Sequence, residues 1–221
     1  MKNVKRSAVW CSLLPLVLIM SLCAEAETVK ETAQSYIEMG EKFVAHREWV
    51  RAIGAYTIAL QFTPESAHAF FRRGQAFEGH GDTAKAIADY STAIDLEPAL
   101  GRAWYNRGNL RLKSGDYEAA LSDLSNAVER DPRYARAYNN RGVARVGSGN
   151  FDGGMADFTE AIKLDPNDPQ PYVNRGLLLF RQGLKTEADK DFARSIAINP
   201  SMKAFIDERL RHAAFTPVSN N

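Results

Sequence analysis

Cysteine and histidine are scarce in this chain of 221 residues, and their positions exclude several kinds of site. Both cysteines, Cys11 and Cys23, lie in the first 26 residues, so the rest of the chain forms neither a disulfide nor a cysteine-ligated metal site. The four histidines lack metal-ligand spacing, and the sequence has no glycine-rich phosphate loop and no Gly-x-Ser-x-Gly turn. These absences predict a protein that is not an enzyme and that needs no metal or other cofactor.

A strong excess of one charge is also missing. The chain has 28 lysines and arginines against 27 aspartates and glutamates, which gives a formal net charge of +1. Proteins that bind nucleic acid or membrane surfaces in general carry a basic excess that shows in this total. We therefore expect no nucleic acid among the partners, and contact with a membrane only through the N-terminal segment.

The first 26 residues have the pattern of an export signal. Three basic residues precede an apolar stretch from Ala8 to Cys23, and small residues follow it. We expect signal-peptidase cleavage after Ala26, a short linker over residues 27–32, and a mature protein in the periplasm or secreted from the cell. The alternative is an uncleaved membrane anchor, which the shortness of the apolar stretch and the presence of Pro15 disfavour.

Proline recurs at a fixed spacing of 34 residues, which indicates that one structural unit is repeated along the chain. The prolines are Pro64, Pro98, Pro132, Pro166 and Pro200. With proline at position 32 of each unit, five repeats span residues 33–66, 67–100, 101–134, 135–168 and 169–202. Such a unit accommodates two helices and short turns but cannot bury a core alone. Function is therefore expected on a surface of stacked repeats and not in an enclosed pocket, so no small-molecule substrate is predicted.

Large and small residues recur in the same register inside each repeat. Position 4 is always aromatic: Tyr36, Phe70, Trp104, Tyr138 and Tyr172. Position 8 is always glycine: Gly40, Gly74, Gly108, Gly142 and Gly176. Glycine lets two helices approach closely, and large side chains fill the space beside the contact. The register therefore predicts pairs of packed helices, with proline ending the second helix of each pair.

This register resembles the tetratricopeptide repeat, a helix-turn-helix unit with an aromatic near its start, a small residue at position 8 and proline at position 32. The resemblance covers residues 33–202. It implies an all-α fold, a right-handed α-solenoid of five helix-turn-helix units. Because apolar residues continue at helical spacing from Met202 to Leu210, we expect residues 203–221 to form a C-terminal capping helix and a tail.

Two departures from the register predict local differences. Arg47 stands where the later repeats have a turn glycine, so we expect the turn of repeat 1 to differ. Those glycines are Gly81, Gly115, Gly149 and Gly183. Repeat 4 has Gly153 and Gly154 in its second helix, and each interior glycine costs about 1 kcal/mol relative to alanine. They indicate a soft joint or, alternatively, close packing of Gly154 on Gly142.

Positions 7 and 23 vary together in a way that predicts ion pairs. Repeats 2 to 5 have arginine at position 7: Arg73, Arg107, Arg141 and Arg175. The same repeats have aspartate at position 23: Asp89, Asp123, Asp157 and Asp191. Repeat 1 lacks both, with Met39 and Ala55. We expect each arginine to meet an aspartate within a repeat or across its boundary, which leaves these arginines unavailable for ligands.

The resemblance implies that positions 2, 5, 6, 9, 12 and 13 of the first helices line a groove that holds a polypeptide segment. Position 6 is asparagine in repeats 3 to 5, and asparagine offers both a donor and an acceptor to a peptide backbone. The alternative is that these amides are only tolerated polar residues on an exposed face. The predicted binding residues are Arg72, Arg102, Tyr105, Asn106, Asn109, Arg136, Asn140 and Asn174.

Basic residues dominate the expected groove over repeats 2 to 5, whereas Glu38 and Glu41 make its N-terminal end negative. This distribution favours an extended, acidic segment of a partner protein. The residues that would clamp the C-terminus of a heat-shock chaperone are not reproduced. We therefore expect a noncatalytic, exported scaffold or adaptor that binds another protein in its groove. The alternative is a structural or assembly component of the cell envelope that acts through its convex face or its caps.

Overall fold

The fold is all-α over the part of the chain that the structure, a computed structural model, describes: the backbone of residues 10–214 and the side chains of residues 27–211. Within this range there are eleven helices and no strand. The helices are α1 (Trp10–Ala45), α2 (Trp49–Phe62), α3 (Ala67–His80), α4 (Thr83–Leu96), α5 (Gly101–Lys113), α6 (Tyr117–Arg130), α7 (Ala135–Gly147), α8 (Phe151–Leu164), α9 (Pro169–Arg181), α10 (Lys185–Ile198) and α11 (Met202–Ala214). The predicted all-α class of consecutive helix pairs is confirmed.

The proposed leader and tail lie partly outside the described residues. Residues 1–9 of the leader and residues 215–221 of the tail are not described, and the backbone of residues 10–26 is the first part of α1. No helix in the described part of the chain combines the length and the apolar character needed to cross a membrane. Cleavage after Ala26 remains a prediction.

The helices belong to two compact units that meet at the Glu97–Pro98 peptide bond. In the first unit α1 packs on α2, α2 on α3, and α3 on α4. Its core contains Tyr56, which is 1% exposed, and Gly40 lies directly against this ring. A Cβ atom on Gly40 would lie 2.5 Å from Tyr56 Cε1, so only glycine allows α1 and α2 this distance of approach.

In the second unit α5 pairs with α6, α7 with α8, and α9 with α10. Helix α11 follows the last pair and packs on both α9 and α10. Its Ile206 is 3% exposed and lies in one cluster with Val173 and Phe192. Burial of Ile206 covers apolar side chains that the last helix pair would otherwise expose.

Arg47 adopts the same left-handed backbone as the glycines at its position, so the expectation of a different turn in repeat 1 is wrong. Its φ is 58°, and the four turn glycines have φ between 81° and 93°. The hydrogen bonds also agree, because Arg47 N–H donates to Val44 O and Gly115 N–H donates to Leu112 O. These backbone hydrogen bonds determine the turn. The arginine side chain projects into solvent, and the left-handed backbone is unfavourable for a residue that has a Cβ atom.

The two glycines of repeat 4 do not interrupt α8, which is continuous from Phe151 to Leu164. A Cβ atom on Gly154 would lie 2.5 Å from Val146 Cγ2 and 3.1 Å from Gly142 O. The packing alternative for Gly154 is therefore supported by the contact between α7 and α8.

The arginine–aspartate pairs form within each repeat and join the first helix to the second. In all four, arginine Nε donates to one carboxylate oxygen and Nη2 to the other, at 2.7–2.9 Å. The aspartates are 1–6% exposed. Arg111 and Arg145 add a second arginine to Asp123 and Asp157, at 2.9 Å in both cases. The predicted pairing is confirmed, and the second arginines were not foreseen.

Candidate functional site

A polar cavity of ≈ 610 Å³ lies between α5, α7 and the turn that precedes α9. Helix α5 contributes Tyr105 and Asn109, and α7 contributes Arg136, Asn139 and Asn140. We call this the amide cavity. Three of these side chains occupy positions 5 and 9 of their repeats, which face the same way because they are one helical turn apart.

The amide side chains in this cavity and Asn174, which lies beside it, form one hydrogen-bonded network across three helices. Asn140 Nδ2 donates to Asn109 Oδ1 at 3.2 Å and to Tyr105 Oη at 3.4 Å. Asn139 Nδ2 donates to Asn140 Oδ1 at 3.2 Å, and Asn174 Nδ2 on α9 donates to Asn139 Oδ1 at 2.8 Å. Each amide bonds to another, so their orientations are fixed before any ligand arrives.

The network retains hydrogen-bonding capacity for a ligand. A primary amide has two donor hydrogens and an oxygen with two lone pairs, and the hydrogen bonds of Asn140 and Asn174 within the network use only part of this capacity. Both side chains are half-buried, so water or a ligand can reach them. Spaced amides of this kind match the alternating N–H and C=O groups of an extended peptide.

The structure brings five of the eight predicted binding residues into this region: Tyr105, Asn109, Arg136, Asn140 and Asn174. Asn106 is half-buried on α5, and Arg102 is exposed on the same helix. Asn139 was not predicted, although it occupies position 5, which the family pattern assigns to the groove. Its amide lies at the centre of the network and is 4% exposed.

Arg72, the remaining predicted residue, lies in the first unit. Its Nη2 atom lies 3.0 Å from Glu41 Oε1, and its Nε donates to His68 Nε2 at 3.2 Å. Burial and, to a smaller extent, the Arg72 guanidinium lower the pKa of His68. Arg72 is thus held by a carboxylate of its own unit, and its charge is partly neutralised there.

The amide cavity is not uniformly positive, which corrects the expected charge of the groove in this unit. Asp165 and Asp168 line it together with Arg136. Asp165 Oδ1 accepts from Asn167 N–H at 3.1 Å, and Asp168 Oδ1 accepts from Gln170 N–H at 2.9 Å. These carboxylates are present because the turn between α8 and α9 needs acceptors for its free N–H groups.

An apolar cavity of ≈ 350 Å³ follows on the same side of the second unit. Val143 and Val146 of α7, Leu177 of α9 and Phe205 of α11 line it. Two cationic side chains complete the lining: Arg181 and Arg209. A third cavity of ≈ 300 Å³ lies between the other two and shares lining residues with each.

Helix α11 contributes side chains to all three cavities. The sequence predicts this helix only as a cap. It contributes Met202, Phe205 and Arg209, which have the spacing i, i+3, i+7 of one helix face. Ile206 and Leu210 point to the core instead. The signal in the sequence was Phe205 directly beside Ile206, since neighbouring helix residues cannot both face the core on one narrow stripe.

A family model described as tetratricopeptide repeat matches residues 33–104, 105–169 and 144–203. No curated protein sequence matches the chain. Among solved structures, MamA from Desulfovibrio magneticus RS-1 is 22% identical with a TM-score of 0.71, over 77% of this chain and 96% of that chain. YrrB, described as a TPR protein with an unusual peptide-binding site, is 22% identical with a TM-score of 0.69, over 85% of this chain and 97% of that chain. PilF of Pseudomonas aeruginosa is 20% identical with a TM-score of 0.68, over 85% of this chain and 90% of that chain.

Proposed function

This chain belongs to the tetratricopeptide repeat family, and we propose that it is a noncatalytic adaptor that binds an extended segment of a partner protein along the second unit. The observation that carries the proposal is the amide network from Asn109 to Asn174. A polypeptide backbone is the ligand that such a network fits, because it offers donors and acceptors regardless of its side chains. The peptide-binding site named for the structurally similar YrrB belongs to the same class of function.

The positions of the cavities support an extended segment in preference to a compact ligand. The amide cavity and the apolar cavity are both connected to the third cavity, which shares Asn139 and Asn140 with the first and Val143 and Asn174 with the second. A segment that crosses all three is in contact with α5, α7, α9 and α11 in turn. The buried arginine–aspartate pairs hold the helices of each repeat in fixed positions beside it.

A displayed library of random dodecapeptides tests this proposal. Wild-type protein is expected to select peptides, and the triple variant Asn109→Ala, Asn140→Ala, Asn174→Ala is expected to bind the selected peptides at least about 10-fold more weakly. Loss of two or three hydrogen bonds of about 0.5–1.5 kcal/mol each gives this factor. Asn126→Ala is the matched control, because it removes a hydrogen-bonded amide from α6, outside the lining of these cavities.

Thermal melts of each variant separate loss of binding from loss of fold. A triple variant that melts normally and still binds the selected peptides contradicts the proposal. That result favours the alternative function, a structural component that acts through its other face or its ends.

We further propose that the protein is exported, and that it is cleaved after Ala26. The basic residues, the apolar stretch and the small residues before Glu27 support this proposal. The test is mass spectrometry of the protein isolated from the cell envelope or the medium. The expected N-terminal residue is Glu27, and an intact Met1 on protein that stays in the cytoplasm contradicts export.

A further inference from the structure

We propose that the apolar cavity, with Arg181 and Arg209, recognises one large apolar side chain of the partner segment together with an adjacent carboxylate. This inference rests on the proposed function and specifies the chemistry of the partner. It also assigns α11 a role in recognition in addition to its packing on the last helix pair. The occupant is a peptide with Asp, Glu or a terminal carboxylate next to Leu, Ile, Met or Phe.

The apolar cavity is continuous with the polar part of the second unit. The connecting cavity is lined by Asn139, Asn140 and Asn174, and by Val143 and Phe205, which also line the apolar cavity. A segment whose backbone is bonded by the amides therefore passes directly over Phe205. Its next side chain on the protein-facing side is placed above the apolar lining, because successive side chains of an extended strand alternate in direction.

Phe205 is the most exposed apolar part of this lining. It is 41% exposed, whereas Ile206 beside it is 3% exposed. Residues Val143, Val146 and Leu177 around it are half-buried. An apolar side chain placed here removes apolar surface of both partners from water, which is the main driving force at the centre of an interface.

Arg181 and Arg209 form no salt bridge with a group of their own unit in the described part of the chain. Arg181 lies over the ring of Phe151 at 5.5 Å, and Arg209 over the ring of Phe205 at 5.1 Å. Stacking on a ring leaves the N–H edges of a guanidinium free for a carboxylate. Arg107 in the same unit differs, since its Nε and Nη2 atoms already donate to Asp123.

These two features predict a ligand with two adjacent properties. Apolar surface alone selects any hydrophobic residue, and a guanidinium alone selects any anion. The Arg209 guanidinium lies 5.1 Å from the ring of Phe205, which also lines the apolar cavity. Their proximity selects an apolar residue and an acidic group in neighbouring positions.

The experiment uses the full-length chain and the displayed dodecapeptide library. Selected peptides are expected to be enriched in a large apolar residue within two positions of Asp or Glu. One selected peptide is then synthesised in two forms, with the acid and with the corresponding amide. Both are titrated against wild type and Arg209→Gln by fluorescence anisotropy. The acid form is expected to lose about 10-fold in affinity on Arg209→Gln, and the amide form to change less than about 2-fold.

Lys203→Gln is the matched control for Arg209→Gln. It removes the same charge from the same helix, but Lys203 pairs with Asp207 at 2.8 Å and is not in the lining of the amide, apolar or connecting cavity. Phe205→Ala is expected to weaken the binding of both peptide forms, because it removes apolar lining. Thermal melts exclude variants that fail to fold.

Several results would overturn the inference while leaving the adaptor function intact. One is selection of peptides without acidic enrichment. Another is an equal effect of Arg209→Gln and Lys203→Gln on the acid form. A concentration-dependent dimer that Phe205→Ala dissociates would identify a second copy of the chain as the occupant. Failure to select any peptide contradicts the inference and the proposed function together.

Discussion

Arg107 holds both oxygens of Asp123, with Nε 2.9 Å from Oδ2 and Nη2 2.8 Å from Oδ1, and the aspartate side chain is 1% exposed. Arg111 reaches the same carboxylate at 2.9 Å. One buried anion is therefore shared by two cations of the first helix of the repeat. Such a group stabilises the helix pair only while its partners are present, because an unpaired buried charge is strongly unfavourable.

Arg107→Ala is expected to lower the free energy of unfolding by less than the about 3–5 kcal/mol of a fully unpaired buried charge, because Arg111 still reaches Asp123. The double variant with Asp123→Ala is expected to lose less than the sum of the two single variants, because removing both charges leaves no buried anion. The measurement is a double-mutant cycle from guanidinium unfolding curves. Lys163→Ala is the control, since its pair with Glu160 at 3.2 Å is exposed and should matter by about 0–1 kcal/mol. A coupling energy near zero for Arg107 and Asp123 would contradict the prediction.

Arg47→Gly is expected to stabilise the protein by about 1 kcal/mol. Arg47 has φ of 58°, and a left-handed backbone costs about 1–2 kcal/mol for residues with a side chain but little for glycine, although glycine also gains entropy in the unfolded state. The reciprocal variant is Gly115→Arg. Gly115 has φ of 81°, and no atom lies within 4 Å of an added Cβ, so the substitution causes no clash and adds only the cost of a left-handed backbone. It should destabilise by a similar amount. Unchanged unfolding curves for both variants would show that this turn tolerates either residue.

The effect of Gly147→Ala on the free energy of unfolding is expected to change sign with the residue at position 117, which Gly147 faces. A Cβ atom on Gly147 would lie 2.5 Å from Tyr117 Cδ1, so the substitution forces the ring away and destabilises by about 1–3 kcal/mol. In a Tyr117→Ala background the space is open, and the higher helix propensity of alanine should stabilise by about 0.5–1 kcal/mol. Thermal unfolding of the four proteins of this cycle provides the measurement. If Gly147→Ala is equally harmful in both backgrounds, the Tyr117 contact is not the cause.

Features repeated along the chain were predictable from the sequence, and features that occur once were not. The pairing of Asp123 and its counterparts is predictable, because four repeats have both the aspartate and the arginine and repeat 1 has neither. The burial of these aspartates is not predictable in this way. The prediction for the turn at Arg47 is wrong because residue type alone does not determine the backbone there. The hydrogen bond from Arg47 N–H to Val44 O has an equivalent in every later repeat, and these bonds fix the turn. Asp165 and Asp168 line the cavity because they accept hydrogen bonds in the turn before α9, and the charges of the first helices alone do not indicate this.

The groove contribution of α11 illustrates the same limit. Ile206 identified the helix as a cap, since a terminal repeat needs its apolar face covered. Phe205 and Arg209 lie on a second face whose surroundings depend on how α11 packs against α9. A packing angle between helices is a tertiary property that one helix sequence does not contain. Asn140 of α7 and Asn174 of α9, by contrast, are predictable because the repeat register specifies their direction.

Stability is expected to fall in alkaline solution because of Tyr56. Burial, and to a smaller extent the Glu41 carboxylate, raise the pKa of Tyr56 from 10.0 to about 12, against an opposing effect of Arg72. The folded protein therefore keeps this proton where the unfolded chain releases it. The contribution is fully present below pH 10 and is lost progressively as the pH rises from about 10 to about 12.

Tyr56→Phe isolates this effect, because it removes the titrating group and retains the ring that contacts Gly40. Urea unfolding curves of both proteins at pH 8, 10 and 11.5 give the difference in free energy of unfolding. Other ionisations are common to the two proteins and cancel in that difference. Relative to the variant, wild type should become progressively less stable above pH 10. A difference that stays constant over this range would mean that Tyr56 ionises alike in the folded and unfolded chains, and that burial does not raise its pKa.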